Sequence, residues 1–367
     1  MKTRRLAVLF VVAVGFCVVM GIGSAWAQEP YTPLSTGSVS GVSSTGCPSG
    51  YATGTSCFSA TVTCPNTVNL GFIYGEIGSG TSGTIVIFNG GTGVISQGPG
   101  GVNFVSPYTT AGYRVVQVVW NTAWELTGNG TGTSIKVAGC RPATVLNYIF
   151  TSVYSGGGMC AQGTSAGSGA IGYSLAEYGA SSYLDNVELL SGPVFGDIEK
   201  GCVVPNTPSI TVCPKSQAYC QTGTEGGWPD PPQYIGGDIT AIDNWSGINA
   251  CNGSSNTTTA QNTAWKQMSI VDGLSDSTFS YPHTAVAGWL CSNTSVSCGS
   301  QPCQNNSAAE GQYFYVQVST GTEPYNVWRV DQCSGQEGVT SGTLAANGKN
   351  GFNAIEADMV ASCKLHH

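Results

Sequence analysis

Short, continuously apolar runs recur along this chain, and segments with helical spacing separate several of them. Such runs are typical of strands buried on both faces of a parallel sheet. The strands predicted in this way are 84–88, 113–120, 159–163, 187–190, 284–291 and 325–330. Between Cys47 and Tyr74 apolar and polar residues alternate instead, which predicts antiparallel edge strands pinned by cysteines 47, 57 and 64.

Three segments carry helical signals. Pro142 fits the first turn of a helix that ends near Thr151, and a second helix, 166–178, is closed by Gly179. A third runs over about 352–363. Strands that alternate with helices predict an α/β fold with a mostly parallel central sheet and helices on both faces.

The amino terminus predicts export. A basic start, an apolar run over 6–22 and the small-residue site Ala25–Ala27 together indicate a signal peptide over residues 1–27. A membrane anchor is the alternative, since the apolar run approaches the length of a bilayer span. We expect cleavage, a secreted or periplasmic protein with no membrane contact afterwards, and a flexible Ser/Thr/Gly/Pro lead-in over residues 28–46.

Cysteine usage agrees with an oxidising compartment. The chain has 15 cysteines, of which Cys17 lies in the leader, so 14 remain for up to seven disulfides whose pairing the sequence leaves open. No C-x-x-C pair occurs, and His283 is the only histidine before the last two residues, so we expect neither a metal nor a cofactor.

Charge excludes one class of partner. Loss of the three leader cations from 12 Lys and Arg leaves nine against 20 acids, a net charge of −11. We therefore expect no binding to nucleic acid.

The Cys-, Pro- and Gly-rich stretch over about 197–281 is predicted to be a disulfide-rich, cap-like insertion within one domain spanning 47–367.

The segment Gly163–Gly167 matches the pattern G-x-S-x-G around Ser165. Because glycine is abundant here, about one chance match is expected, so the setting decides. A predicted strand comes directly before the motif, and a helix rich in small residues opens directly after it. That setting favours a nucleophile elbow, in which a strained strand-to-helix turn exposes the serine.

A second element, the strand 84–88 followed by the glycine-rich loop 89–93, precedes the serine. With both elements the chain resembles the α/β-hydrolase superfamily, in the manner of a secreted serine esterase or lipase, over most of its mature length. The resemblance implies Ser165 as nucleophile and, as oxyanion-hole donors, Ala166 with one of Gly90, Gly91 or Thr92. A plain tight turn is the alternative for the loop, which has Asn89-Gly90 where the family has histidine-glycine.

The rest of the family's catalytic triad is not found. The resemblance implies an acid after the seventh strand and a histidine after the eighth, where this chain has Asn293 and Gln336. Neither amide can accept a proton near neutral pH. His283 begins its strand about 26 Å from the strand's catalytic end. A buried carboxylate with a raised pKa is a further possibility for the base, and the candidates are Asp197, Glu199, Asp331 and Glu337.

Two hypotheses follow. The chain is a serine hydrolase acting on a small-molecule or polymer carboxylic ester with an atypical base, or a noncatalytic relative. In the second case the aromatics of the insertion, Trp228, Tyr234 and Trp245, would bind a glycan, lipid or protein. The sequence does not indicate the oligomeric state.

Overall fold

A computed structural model describes residues 32–126, 135–190, 192, 196, 198, 260, 263, 268–270, 279–291, 296–298, 301–303, 326–331 and 351–365. Contacts separate Met1–Pro30 from Tyr31–His367, and every described residue belongs to the second unit. The predicted signal peptide and most of the predicted cap, including its aromatics Trp228, Tyr234 and Trp245, lie outside the described residues.

The described strands form a nine-stranded sheet and a separate two-stranded hairpin. They are β1 (Ser38–Thr45), β2 (Ser56–Thr63), β3 (Leu70–Ile77), β4 (Gly83–Phe88), β5 (Tyr113–Trp120), β6 (Gly158–Thr164), β7 (Asn186–Leu190), β8 (Ala285–Cys291), β9 (Val296–Cys298), β10 (Gln301–Cys303) and β11 (Asn326–Asp331). The large sheet has the order β1-β2-β3-β5-β4-β6-β7-β8-β11. The pairs from β1 to β5 are antiparallel, and those from β5 to β11 are parallel. The predicted mostly parallel sheet with an antiparallel edge is confirmed.

Helices cover both faces of this sheet, also as predicted. They are α1 (Val102–Thr110), α2 (Ile135–Ala138), α3 (Cys140–Ser152), α4 (Ala166–Tyr178) and α5 (Gly351–Ser362). Alternate residues of β4 face opposite cores, because side chains along a strand point to opposite faces. Val86 and Phe88 pack in the core that includes α3 and α4, whereas Ile85 and Ile87 pack in the core that includes α1 and α5.

The local predictions differ in success. Strand β5 and helix α4 begin and end at the predicted residues, and Gly179 closes α4 in the left-handed conformation. The flexible lead-in predicted up to residue 46 is wrong for 38–45, which form β1 on the sheet edge against β2. This strand is mostly exposed and Ser-rich, so it carries no apolar pattern. Helix α1 was not predicted, because it follows a glycine-rich loop and contains Pro107.

Three disulfides join described cysteines: Cys47–Cys57, Cys64–Cys140 and Cys160–Cys363. The second ties the end of β2 to α3, and the third ties β6 to the residue just after α5. The two bonds therefore clamp the sheet to helices on opposite faces. Their paired cysteines are 76 and 203 residues apart in sequence. In the chain-entropy model, a disulfide that closes such a long loop stabilises the folded state most.

A few residues of the stretch 197–281, which the sequence predicts to be an insertion, are described and contact the core. Its described residues Ile198, Met268 and Ile270 lie in the core on the α4 face, and the Tyr173 hydroxyl of α4 donates to the Met268 carbonyl. Within the described part of the chain, none of the helices has the length and hydropathy needed to cross a bilayer.

Candidate active site

Ser165 occupies the turn between β6 and α4, at the carboxyl edge of the parallel strands. Its φ of 52° and ψ of −120° put a non-glycine residue in a region that costs about 1–3 kcal/mol. Hydrogen bonds hold it there: its N–H donates to the Leu190 carbonyl at 2.8 Å, and its carbonyl accepts from the Gly169 N–H at 3.1 Å. The side chain is largely buried, with 8% of the residue exposed. The predicted strand–turn–helix around Ser165 is therefore present.

The glycines that flank Ser165 leave space for close backbone contacts. A Cβ on Gly163 would lie 2.3 Å from the Gly167 carbonyl oxygen, and one on Gly167 would lie 2.5 Å from the Phe88 carbonyl oxygen. Neither distance is sterically possible without a shift of backbone. The motif thus allows the start of α4 to pack directly on the end of β4, which precedes the glycine-rich loop.

A second serine, Ser168, stabilises the same turn from inside α4. Its buried hydroxyl lies 2.8 Å from the Gly163 carbonyl and 2.7 Å from the Leu190 carbonyl. The Leu190 oxygen therefore meets both Ser168 and the Ser165 amide at the end of β7. From the sequence, Ser168 is only one of the small residues that open the helix, and its spacing of three residues from Ser165 is the one local signal of this contact.

The loop after β4 lies against Ser165. A Cβ built on Gly90 would be 3.0 Å from the Thr164 carbonyl oxygen and 3.3 Å from the Ser165 Cβ. The Asn89 side chain holds this loop, since its Oδ1 accepts from the Gly90 N–H at 2.8 Å and its Nδ2 donates to the Gly98 carbonyl at 2.7 Å. The structure thus brings the two predicted elements of the site together.

The predicted oxyanion donors occupy different positions. Ala166 is the first residue of α4, so its N–H has no acceptor within the helix and lies at the positive end of the helix dipole. Gly90 adjoins Ser165, with its N–H directed to the Asn89 side chain. Gly91 and Thr92 are exposed in the following turn, where the Thr92 hydroxyl donates to the Gln97 Oε1 at 3.2 Å.

The two remaining predicted site residues, Asn293 and Gln336, lie outside the described residues. The strands that lead to them end side by side, because Cys291 of β8 pairs with Asp331 of β11 in parallel register. Among the alternative bases, the backbone of Asp331 closes β11 at this edge, whereas Asp197, Glu199 and Glu337 are not described.

His283 lies at the opposite edge of the sheet. It is exposed and precedes β8 by two residues, next to the amino end of β7, where Asn186 pairs with Ala285. Ser165 follows the carboxyl end of the neighbouring strand β6. The position agrees with the expectation that His283 is too remote to serve Ser165.

Buried polar groups lie beneath the elbow on the α1 and α5 face. Gln162 of β6 pairs with Glu188 of β7, and both side chains are buried. The Tyr108 hydroxyl of α1 donates to Gln162 Oε1 at 2.5 Å, and the Trp289 ring N–H donates to Glu188. Burial, followed by the charge of Glu188, raises the pKa of Tyr108 well above its ordinary value. Nothing in the apolar pattern marked these residues, which connect α1 and β8 to the strands that position Ser165.

Glu125 is a second buried carboxyl, in the segment after β5. Burial raises its pKa to about 8, partly offset by the charge of Arg141. The Arg141 guanidinium donates to the carbonyls of Trp124, Leu126 and Val68. Because Val68 precedes β3, this arrangement fixes the segment beside β3, which β5 and β4 separate from the strand of Ser165. The buried Glu125 and Arg141 side chains therefore stabilise the segment after β5.

In the described part of the chain, no three His, Cys, Asp or Glu residues are grouped so that they could hold a metal ion.

Comparison with known proteins addresses the fold. No protein-family model matches the sequence, and a search of curated proteins finds no match. Among solved structures, acetyl xylan esterase 1 from Thermoanaerobacterium sp. is similar at a TM-score of 0.51 and 10% identity, over 89% of this chain and 88% of that one. An acetyl xylan esterase from Paenibacillus sp. R4 gives a TM-score of 0.46 at 11% identity, over 85% of each chain. The first of these supports a shared fold, which the sheet order and the elbow show independently.

Proposed function

We propose that this chain, which has the α/β-hydrolase fold, is a serine hydrolase acting on carboxylic esters with Ser165 as its nucleophile. One observation carries the proposal: Ser165 is held at a φ of 52° between the first amides of α4 and the Gly90 loop. Strained backbone of this kind persists where the surrounding structure over-determines it, and it concentrates at functional sites.

The geometry supports acyl transfer. The Ser165 Oγ would attack the ester carbonyl carbon while its proton passes to a base, and the carbonyl oxygen would become an oxyanion. The Ala166 N–H and the N–H of Gly91 or Thr92 would stabilise that charge, since the Gly90 N–H is engaged by the Asn89 side chain. Departure of the alcohol would leave an acyl-serine, which water would then hydrolyse. No described histidine lies at this edge of the sheet.

The missing histidine sets the expected rate. Removal of a triad histidine lowers kcat by on the order of a millionfold, while the oxyanion hole and binding alone retain about a thousandfold advantage over water. With Gln336 at the histidine position and Asn293 at the acid position, we expect slow turnover on small or polymeric esters. The same glutamine favours the second candidate, a noncatalytic protein that binds a glycan, lipid or protein.

We also propose that the protein works outside the cytosol, after cleavage of residues 1–27. Three disulfides between described cysteines support an oxidising compartment. The net charge of −11 that follows cleavage argues against nucleic acid as a partner.

Hydrolysis of p-nitrophenyl acetate by the oxidised mature protein tests the proposal. We expect a slow rate above buffer that Ser165→Ala abolishes, whereas Ser182→Ala, an exposed serine after α4, keeps it. The double variant Gln336→His, Asn293→Asp should turn over faster than the native chain. A rate that survives in Ser165→Ala would refute the assignment. A native chain and a double variant that both match buffer would favour the noncatalytic candidate.

A further inference from the structure

The loop between β4 and α1, residues 89–101, contains an internal clamp made by one side chain. Asn89 is the first residue of the loop, and its carboxamide spans nine positions of sequence to reach the Gly98 carbonyl at 2.7 Å. The other end of the same carboxamide accepts the N–H of the adjacent Gly90 at 2.8 Å. One planar group therefore ties the beginning of the loop to its end.

The clamp is attached to the sheet at a second point. A Cβ on Gly100 would lie 2.7 Å from the Asn89 Cα, so the two ends of the loop are in close contact. The Gln117 side chain, fully buried on β5, donates from Nε2 to the Gly100 carbonyl at 2.6 Å. Gln117 pairs with Ile87, which lies two residues before Asn89. The far end of the loop thus cannot shift without breaking a buried hydrogen bond.

The position of Gly90 makes this rigidity relevant to Ser165. Gly90 adjoins Ser165 so closely that a methyl group would fall 3.3 Å from the Ser165 Cβ. A free glycine would sample many backbone conformations, including those with positive φ. The Asn89 Oδ1 engages the Gly90 N–H and thereby restrains Gly90 beside Ser165. The N–H groups that the loop can offer are then those of Gly91 and Thr92, whose positions follow from the conformation of Gly90.

We propose that Asn89 is a positioning residue that fixes Gly90 against Ser165, and with it the remaining candidate oxyanion donors of the loop, Gly91 and Thr92. The proposal rests on the proposed function of Ser165 as a nucleophile. Oxyanion donors act only where they are preorganised at the oxygen that becomes charged, and a misplacement of about 1 Å lowers rates by on the order of a hundredfold. Loss of the clamp should therefore slow the chemistry at Ser165 even when the fold is intact.

The test compares Asn89→Ala with Asn186→Ala. Asn186 is a buried asparagine whose Nδ2 donates to the Met359 sulfur at 3.3 Å, and it lies at the opposite edge of the sheet. The measurements are the second-order rate of Ser165 phosphonylation by a fluorophosphonate, the amide hydrogen exchange of Gly90, and Tm. Asn89→Asp is added for the exchange measurement, because its carboxylate can still accept the Gly90 N–H.

We expect Asn89→Ala to slow phosphonylation by at least about tenfold and to speed Gly90 exchange by a similar factor. Asn186→Ala should be phosphonylated at the native rate even if its Tm falls as far as that of Asn89→Ala. Asn89→Asp should keep the Gly90 amide protected from hydrogen exchange. Native labelling in Asn89→Ala, or unchanged Gly90 exchange, would overturn the proposal. If the native chain is not phosphonylated at all, the proposed function fails, and Gly90 exchange alone then upholds or overturns the clamp.

Discussion

Replacement of Ser165 by glycine should stabilise this protein. Ser165 has a φ of 52° and a ψ of −120°, a conformation that a Cβ disfavours and glycine adopts freely. Ser165→Gly removes the Cβ and with it the steric strain. Ser165→Ala removes only the hydroxyl and keeps the Cβ, so it serves as the matched variant.

The expected magnitude follows from two opposing terms. Strain at such a position amounts to about 1–3 kcal/mol, and glycine relieves most of it. Glycine also gives the unfolded chain more freedom, which lowers stability by roughly 0.4–1 kcal/mol. The net gain for Ser165→Gly is about 1 kcal/mol over both the native chain and Ser165→Ala. Because Ser165 is the N-cap of α4, a position where glycine is preferred to alanine in any case, the diagnostic comparison is Ser165→Gly with the native serine.

Equilibrium urea unfolding of the oxidised protein, followed by tryptophan fluorescence, measures this difference. The free energies of unfolding should be compared at one denaturant concentration near the midpoint, where extrapolation error is smallest. A gain in stability with Ser165→Gly and no gain with Ser165→Ala would support strain at the elbow. Equal stabilities, or a more stable alanine variant, would refute the reasoning that the Ser165 backbone is strained.

Three further results are expected. Ser168→Ala should lower the free energy of unfolding by about 1–2 kcal/mol, because the buried Leu190 and Gly163 carbonyls lose the Ser168 hydroxyl as a donor. Ser182→Ala, at an exposed site, should change it little. Equal effects of the two substitutions in urea unfolding would contradict this. Because the pKa of Glu125 is raised to about 8, the folded state binds an extra proton between pH 4.5 and about pH 8. The free energy of unfolding should therefore fall as pH rises through that window, and Glu125→Gln should reduce this pH dependence. An unchanged pH dependence in Glu125→Gln would contradict the raised pKa. The double variant Cys64→Ser, Cys140→Ser, which lacks the Cys64–Cys140 disulfide, should have a free energy of unfolding in urea lower by roughly 2–5 kcal/mol. A loss below about 1 kcal/mol would show that the bond constrains the unfolded chain little.

Buried periodic elements could be predicted from the sequence. Strand β5 matches its predicted bounds because apolar residues dominate it, and helix α4 does so because apolar residues recur at helical spacing and Gly179 ends it. Strand β1 could not be found in this way, since its exposed edge needs no apolar residues and its pairing with β2 is a tertiary contact.

The same division holds in the candidate site. The G-x-S-x-G pattern located the Ser165 turn, because that turn has local steric requirements that only glycine meets at its two flanks. The side chains of Asn89, Ser168 and Gln117 bind backbone carbonyls of residues distant in sequence. No local sequence pattern encodes such contacts. Glu125 and Glu188 were missed for a related reason, since carboxyls are rarely buried and a partner such as Trp289 is visible only in the fold.

The most direct test of the central claim is the site of covalent reaction with a fluorophosphonate. The oxidised mature protein is incubated with the reagent, and intact mass followed by peptide mapping locates the adduct. We predict a single adduct on Ser165 in the native chain and none in Ser165→Ala. A native chain that stays unmodified, or an adduct that persists in Ser165→Ala, would contradict the assignment of Ser165 as an activated nucleophile.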